Sequence, residues 1–434
     1  MIVICEPTCR GVSHEKFNSG FIYGLRLVYP KEAIRFYADI THINAIKNIL
    51  THDKIFIDNI EYIAIKFRDL YSIRGMLTYY SLFKKMFSEV LEVGINKIFI
   101  LSFSPTILYV IKKLKQQHDF SKMKFTLVLH GNFENIANGY DKPTGPSLPI
   151  KKMKNKYIIE IKYKLKIIRQ TKFIDFPEIV IKPFIDRFMP WQFISTKLFT
   201  DRKILLWKHS GDFKYIALSP HIITNAEKYI NTKDLNMYTV ILPTVFAEPP
   251  PSPKNEYVKF AIFGYGNPLM LHNILVQLSQ KELKQPYEIR IIGMDNKGTE
   301  GFANVTCPSP GKRLDRSEME KYARDIDIFL ILYDKSRYRL SCTGSILESL
   351  SYTKPVLHFD NDCINSFNKH ENPIGICCSG LEEFVSKMED IIKNYEVYIH
   401  EFQIFRKNIL KLRKECAIEN SLIQLKDSFT WEDL

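Results

Sequence analysis

The sequence predicts an α/β protein made of two strand-helix arrays in series, and three observations carry that prediction. Short β-branched or aromatic runs alternate with helical stretches from residue 2 to about residue 242, and the same rhythm resumes at residue 257. Between the arrays lies Ala247-Glu-Pro-Pro-Pro-Ser-Pro-Lys-Asn-Glu256. This linker can be neither helix nor central strand, because proline lacks the amide hydrogen and its ring clashes with a helical turn. At 434 residues the chain is long enough for two or three domains, each with a core of its own. Alternating strands and helices imply parallel sheets covered on both faces, with ligands held at the carboxyl ends of the strands.

In the first array, bulky apolar runs predict strands at 2–5, 33–38, 55–63, 97–102, 125–130, 214–219 and 237–242. Apolar residues at helical spacing predict helices at 18–27, 43–50, 77–91 and 106–116. Three side chains able to take a proton stand at the expected strand ends: His14 after the first strand, His130 closing the fifth, and Glu134 four residues on, with Glu15 a weaker fourth. An imidazole titrates near neutral pH, as a general base requires. A histidine at a strand end is more often a structural or substrate-binding group, so its place in the fold decides.

In the second array, strands are expected at 257–263, 287–293, 327–333 and 355–359, with helices from the Gly264-Tyr-Gly266 turn to about residue 283, over Arg316–Ala323, and from Ser341 onward. The stretch 338–359 is the most informative in the chain. Ser341, Thr343, Gly344 and Ser345 are small enough to let backbone N–H groups approach an anion at a helix start, where unpaired donors and the helix dipole favour negative charge. Glu348 is expected within the first turn or so, where it reaches the hydroxyls of a ribose attached to bound phosphates. The plainer reading is a Ser/Thr cap followed by an ordinary glutamate. A dinucleotide site is excluded at Gly264-Tyr-Gly266, because Leu269 stands where the third glycine belongs. No Gly-x-x-x-x-Gly-Lys-Ser/Thr phosphate loop and no Gly-x-Ser-x-Gly elbow occurs.

With its glycine turn, Ile-Ile-Gly293, Asp-Ile-Asp-Ile-Phe-Leu330, small-residue loop, Leu-Glu348 and Lys-Pro-Val-Leu357, segment 257–380 resembles the nucleotide-sugar-binding domain of GT-B-fold glycosyltransferases. Within that group it is similar to the retaining family four, in which two glutamates separated by seven residues bracket the donor loop. The second falls on Glu348 and the first on Leu340, so the double-glutamate pattern is degenerate. The resemblance implies two Rossmann-like domains facing a cleft and a C-terminal helix, from about residue 398, crossing back to the first domain. It implies a hexosyltransferase-type enzyme that moves a sugar from a nucleotide-sugar donor to a glycan or lipid-linked acceptor, in a bacterial surface polysaccharide pathway. Gly264, Gly266, Ser341, Thr343, Gly344, Ser345 and Glu348 would bind the donor, with His130, His14 or Glu134 on the acceptor side. The leaving diphosphate would be met by helix dipoles and basic side chains without an obligatory metal. Arg339 and Arg337 are the favoured cations; Lys335, Arg290, Lys297, Lys312 and Arg313 are others. The alternative is a non-catalytic relative that binds a sugar nucleotide or glycan as a scaffold.

The net charge of +13 is concentrated: residues 151–172 carry nine basic residues against Glu160 alone. Ile158, Ile161, Leu165 and Ile168 recur at helical spacing, which predicts a basic amphipathic helix within an insertion at about 151–200. Such a helix suits an anionic membrane surface, at about 1 kcal/mol per basic residue, or a solvated face of its own domain. Nucleic acid is not expected, since no aromatic platform accompanies the charge. Eight scattered cysteines without paired Cys-x-x-Cys motifs point to reduced thiols and no metal. The chain opens directly on a strand, and its longest uncharged apolar run, 98–111, spans 14 residues broken by Pro105, too short for a bilayer. The expectation is a cytoplasmic protein, peripheral on the membrane through 151–172.

Overall fold

The computed structural model describes residues 1–66, 73–131, 133–134, 136, 201–207, 211–233, 235–241, 243–264, 266–293, 298–311, 314 and 316–431. The basic segment 151–172 and residues Lys297, Lys312 and Arg313 lie outside the described residues.

The first sheet holds seven parallel strands: β1 (Ile2–Glu6), β2 (Ile34–Ala38), β3 (Ile60–Ala64), β4 (Lys97–Ile100), β5 (Lys124–Leu129), β6 (Phe213–Ala217) and β7 (Asn236–Thr239). Their order is β3-β2-β1-β4-β5-β6-β7. The second holds β8 (Lys259–Phe263), β9 (Glu288–Ile292), β10 (Val305–Thr306), β11 (Ile328–Ile331), β12 (Val356–Phe359) and β13 (Gly375–Cys378), in the order β10-β9-β8-β11-β12-β13. Every strand pair is parallel. In each sheet the chain winds outward one way and then returns to wind the other, so the switch points lie between β1 and β4 and between β8 and β11. Ligands of open parallel sheets lodge at such points, where neighbouring loops diverge.

The first sheet is covered by α1 (Glu15–Val28), α2 (Ile40–His52), α3 (Ile73–Glu92), α4 (Pro105–Lys115), α5 (Asp201–Leu206) and α6 (Pro220–Ala226). The second carries α7 (Pro268–Ser279), α8 (Arg316–Ala323), α9 (Gly344–Tyr352), α10 (Asp362–Asn365) and α11 (Leu381–Lys393), followed by α12 (Tyr395–Cys416) and α13 (Leu422–Phe429). Helix starts follow local chemistry. Asp39, Ser104, Asn267 and Thr343 each accept a hydrogen bond from a backbone N–H in the first turn of the following helix, and Pro105 and Pro268 occupy the position where a missing N–H costs nothing.

Two expectations shift. The third strand begins at Ile60 rather than near residue 55, because Lys54 and Asn59 adopt left-handed φ values of 54° and 49° that interrupt an extended run. The donor-loop helix begins at Gly344 rather than Ser341, with Thr343 as its cap. Glu348 therefore sits in the second turn.

The C-terminal helices return to the first domain. The first half of α12 buries Tyr395, Phe402 and Phe405 with the outer core of the second sheet, while Ile409, Leu412 and Cys416 join the cluster that contains the first sheet. Beyond it, Thr126 Oγ1 donates to the Ser428 carbonyl at 2.6 Å and Lys214 Nζ to the Asp427 and Thr430 carbonyls at 2.7 and 2.6 Å. Helix α1 lies tight against this return. A Cβ on Gly20 would stand 2.0 Å from the Pro243 carbonyl oxygen, and one on Gly24 would stand 2.7 Å from Ile418. From α12, Arg406 and Arg413 donate to the Pro250 and Ala247 carbonyls of the linker, and Arg413 also to the Ser351 carbonyl at 3.1 Å. One helix thus holds the linker and the end of α9 together.

Among the described residues no helix is long and apolar enough to cross a membrane, and no group of three or more His, Cys, Asp or Glu side chains is placed to hold a metal ion. All eight cysteines are free thiols.

Candidate functional site

The deepest polar group at the first switch point is Glu6, the last residue of β1 and fully buried. Its carboxylate accepts from the backbone N–H groups of Thr8 and Cys9 at 2.8 and 2.9 Å, from Asn18 Nδ2 at 3.0 Å and from the Ser102 hydroxyl. Burial opposes the charge, but these bonds together with nearby His42 and His130 outweigh it and hold the carboxyl below its usual range. Asn18 also donates to His42 Nε2 at 2.9 Å, while His42 Nδ1 donates to the Gly11 carbonyl at 2.8 Å. The loop after β1 is thereby fastened from beneath.

On this floor rest His14 and His130, their rings stacked with centroids 4.3 Å apart and planes 19° from parallel. His14 lies at the start of α1 with φ 56°. It is exposed as a residue, yet its ring packs on His130 and Phe17, and that desolvation lowers its pKa against the pull of Glu6. Its Nδ1 lies 3.6 Å from Cys9 Sγ, and among the described residues its Nε2 has no partner. Burial and the neighbouring His14 push His130 down to about 3. His130 is therefore a neutral ring at ordinary pH, and its buried Nε2 has no hydrogen-bond partner. Burial, then Glu6, raises the Cys9 thiol well above its ordinary value, which leaves it protonated and a poor nucleophile.

Across the cleft, the small-residue loop is drawn onto the first domain. Glu134 Oε1 accepts from the Leu340 N–H at 2.6 Å and the Ser341 hydroxyl at 2.9 Å. This occupies the Ser341 side chain and leaves the cap of α9 to Thr343, which accepts from the Ser345 N–H at 3.2 Å. Gly344 is exposed, with open space where a Cβ would stand, and the Ser345 hydroxyl lies 3.4 Å from that of Tyr333. His221 Nε2 donates to the Tyr338 and Ser341 carbonyls at 3.0 and 3.1 Å, and Asn225 Nδ2 to the Arg339 carbonyl at 2.9 Å. Lys16, from the first turn of α1, reaches Glu348 at 3.5 Å and the Ser351 hydroxyl at 2.6 Å. Both ends of the expected donor site are thus touched by the opposite domain.

The remaining expected groups are dispersed. Gly264 and Gly266 take φ values of 68° and 52° at the end of β8, left-handed conformations that favour glycine. Arg337 is exposed and Arg339 half-buried in the approach to the loop. Lys335 pairs with Asp360 at 2.5 Å, and Arg290 is held in β9 by Glu288 and Asp325. Leu340 is buried. Sequence reasoning overlooked Glu6, Lys16, His42 and His221. A glutamate closing the first apolar run was the one visible signal, because a charge at that point must face a loop or a partner.

No protein-family model matches the chain, and no curated protein matches its sequence. Solved structures match its fold. A glycosyltransferase from Rickettsia africae ESF-5 aligns over 98% of this chain and 98% of that chain, at 10% identity and a TM-score of 0.52. The lipopolysaccharide outer core galactosyltransferase WaaB in its apo form aligns over 97% and 98%, at 12% identity and a TM-score of 0.53. The two parallel sheets and their flanking helices place this chain in the GT-B fold class shared by those structures.

Proposed function

We propose that the protein is a glycosyltransferase that moves a sugar from a nucleotide-sugar donor to a glycan or lipid-linked acceptor. The observation that carries this reading is Glu134, whose bonds to Leu340 and Ser341 bring the small-residue loop to the strand end that carries His130 with its unpartnered Nε2. The small-residue loop and the stacked pair His14 and His130 then share one cleft. In this reading the amides around Gly344 and Ser345 hold the diphosphate, Glu348 accepts from the ribose hydroxyls, and Arg339 or Arg337 meets the charge that develops on the leaving group. His130, neutral and desolvated, stacks on His14 and fixes the orientation of that ring. His14, the more exposed ring, takes the proton as the acceptor hydroxyl attacks the anomeric carbon and the nucleoside diphosphate departs.

The finer assignment follows the resemblance: the family-four group with the first glutamate replaced by Leu340, hexosyl transfer, no obligatory metal, and a bacterial surface polysaccharide pathway with contact to an anionic membrane through 151–172. One of the structures of similar fold, WaaB, is a lipopolysaccharide outer core galactosyltransferase, which is the same kind of setting. The buried Leu340 and the engagement of Glu348 by Lys16 favour a second reading, a scaffold that binds a sugar nucleotide or glycan without turning it over.

The test is a thermal-shift screen of the full chain against UDP, GDP, CDP, ADP and TDP beside Glu348→Ala, since a ligand of the folded state raises its melting temperature. One nucleotide stabilising the wild type and not the variant fixes the donor class. Release of that nucleotide from its sugar conjugates then separates enzyme from scaffold. If none stabilises, the donor reading fails.

A further inference from the structure

A cavity of about 420 Å³ lies outside the cleft, at the opposite end of the second domain. It opens at the amino ends of β11 and β12, between the linker residues 252–256 and helix α12, with Lys354 in its floor and Tyr395, Ile399, Phe402 and Arg406 in its walls. That volume falls within the range of small-molecule sites. Its walls carry two basic groups, Arg406 and Lys354, beside two acids, exposed Glu256 and buried Asp327, and Asp327 is near enough to favour the charged form of Lys354. Arg406 donates to the Pro250 and Thr353 carbonyls, and buried Lys354 to the Arg324 carbonyl at 2.8 Å. Neither has a carboxylate within ion-pair distance among the described residues. The one buried acid, Asp327, is already held by the Tyr395 hydroxyl at 2.9 Å, the Lys259 N–H at 2.9 Å and Asn255 at 3.0 Å.

We propose that this cavity binds a small amphipathic carboxylate, its head between Arg406 and Lys354 and its apolar body against Ile399, Phe402 and the linker. Desolvated cations gain most from an anion that shares their low-dielectric surroundings, and the burial that lowers Lys354 to about 7 and pulls Arg406 below its ordinary value is relieved by such a partner. The ligand would touch two elements that matter to the cleft. One is the linker between the domains. The other is the end of α9, whose opposite end, about 13 Å away along nine residues, carries Gly344.

The test is calorimetric titration of the full chain at low salt with octanoate, octan-1-ol and acetate, which present body and head, body alone and head alone. No nucleotide is needed, so the result is independent of the transfer reading. Octanoate is expected to bind one equivalent, at least about tenfold more tightly than either control. Gln403 is exposed at the cavity rim, so its replacement leaves the fold intact. Gln403→Glu is expected to weaken octanoate by about threefold and Gln403→Lys to strengthen it by a similar factor. Arg406→Met is expected to cost about tenfold. Octanol binding as tightly as octanoate, octanoate indifferent to both charges at 403, or no saturable binding would each overturn the proposal.

Discussion

The two sides of the cleft are built in opposite ways. On the first domain the polar groups come from five separate places in the sequence, Glu6, Asn18, His42, Ser102 and His130, and they converge in a buried network beneath the ring of His14. On the second domain the groups lie within eight consecutive residues, from Ser341 to Glu348, on a loop and helix start where Gly344 is exposed and Ser345 and Glu348 are half-buried. A buried network is held by its own hydrogen bonds and tolerates little change, because each group left unpaired in a low-dielectric setting costs its full desolvation. The loop before α9 is held by its helix and by contacts from the facing domain, so a change at the exposed Gly344 or the half-buried Glu348 should have a small effect on stability. Stability should therefore be concentrated on one side of the cleft and donor affinity on the other.

The sharpest way to break that contrast is Glu6→Ala. It strands the Thr8 and Cys9 N–H groups, Asn18 and Ser102, and should cost about 3 kcal/mol or more, read as a lowered urea midpoint. A loss under about 1 kcal/mol would mean that the network is not what holds the loop after β1.

The next effect is acid sensitivity. His130, pushed down to about 3, and His358 in β12, lowered by burial to about 4, stay neutral in the fold at pH values where the unfolded chain protonates them. Their contribution is therefore complete above about pH 6.5 and declines as pH falls from there toward 3 and 4 respectively. The melting temperature should drop over that window, and His130→Gln should flatten part of the slope while His358 preserves the rest. An unchanged slope in the variant would place the acid sensitivity elsewhere.

Glu348→Ala should act in the reverse sense to Glu6→Ala. The side chain is 16% exposed and its ion pair with Lys16 is 3.5 Å long, so the unliganded protein should lose less than about 1 kcal/mol. The stabilisation by the matching nucleotide should largely vanish. Smallest in stability is Gly344→Ala, where open space receives the Cβ and the change should stay within about 0.5 kcal/mol. If the amides there cradle a diphosphate, nucleotide affinity should nevertheless fall severalfold, as measured by calorimetry. Unchanged affinity would move the phosphate site off this loop.

Much of the fold was legible because parallel strands buried on both faces are written as uninterrupted apolar runs. Ile2–Glu6, Lys124–Leu129 and Val356–Phe359 lie within one residue of where those runs predict them. The short strands Val305–Thr306 and Gly375–Cys378 carry too few apolar residues to declare a period. Ile55 and Ile57 belong to a strand-like run that left-handed residues on either side hold out of the sheet.

The small-residue loop before α9 was legible as a helix start for a different reason: its residues are neighbours in sequence, so composition and position suffice. Glu134 shows the limit. At the end of an apolar strand it reads as a proton acceptor, yet its carboxylate is committed to Leu340 and Ser341, more than two hundred residues on. Nothing local announces that partner.

The amino-acid sequence alone determined the two strand-helix arrays, the linker between them and the small-residue loop with Glu348, because each depends on residues within a few turns of one another. Tertiary structure alone decided which charges are buried, which histidines stack, and which side chains cross the cleft. Those outcomes depend on distances between residues far apart in the chain, and a carboxylate's chemistry is set less by its neighbours in sequence than by the donors and the solvent that the fold brings to it.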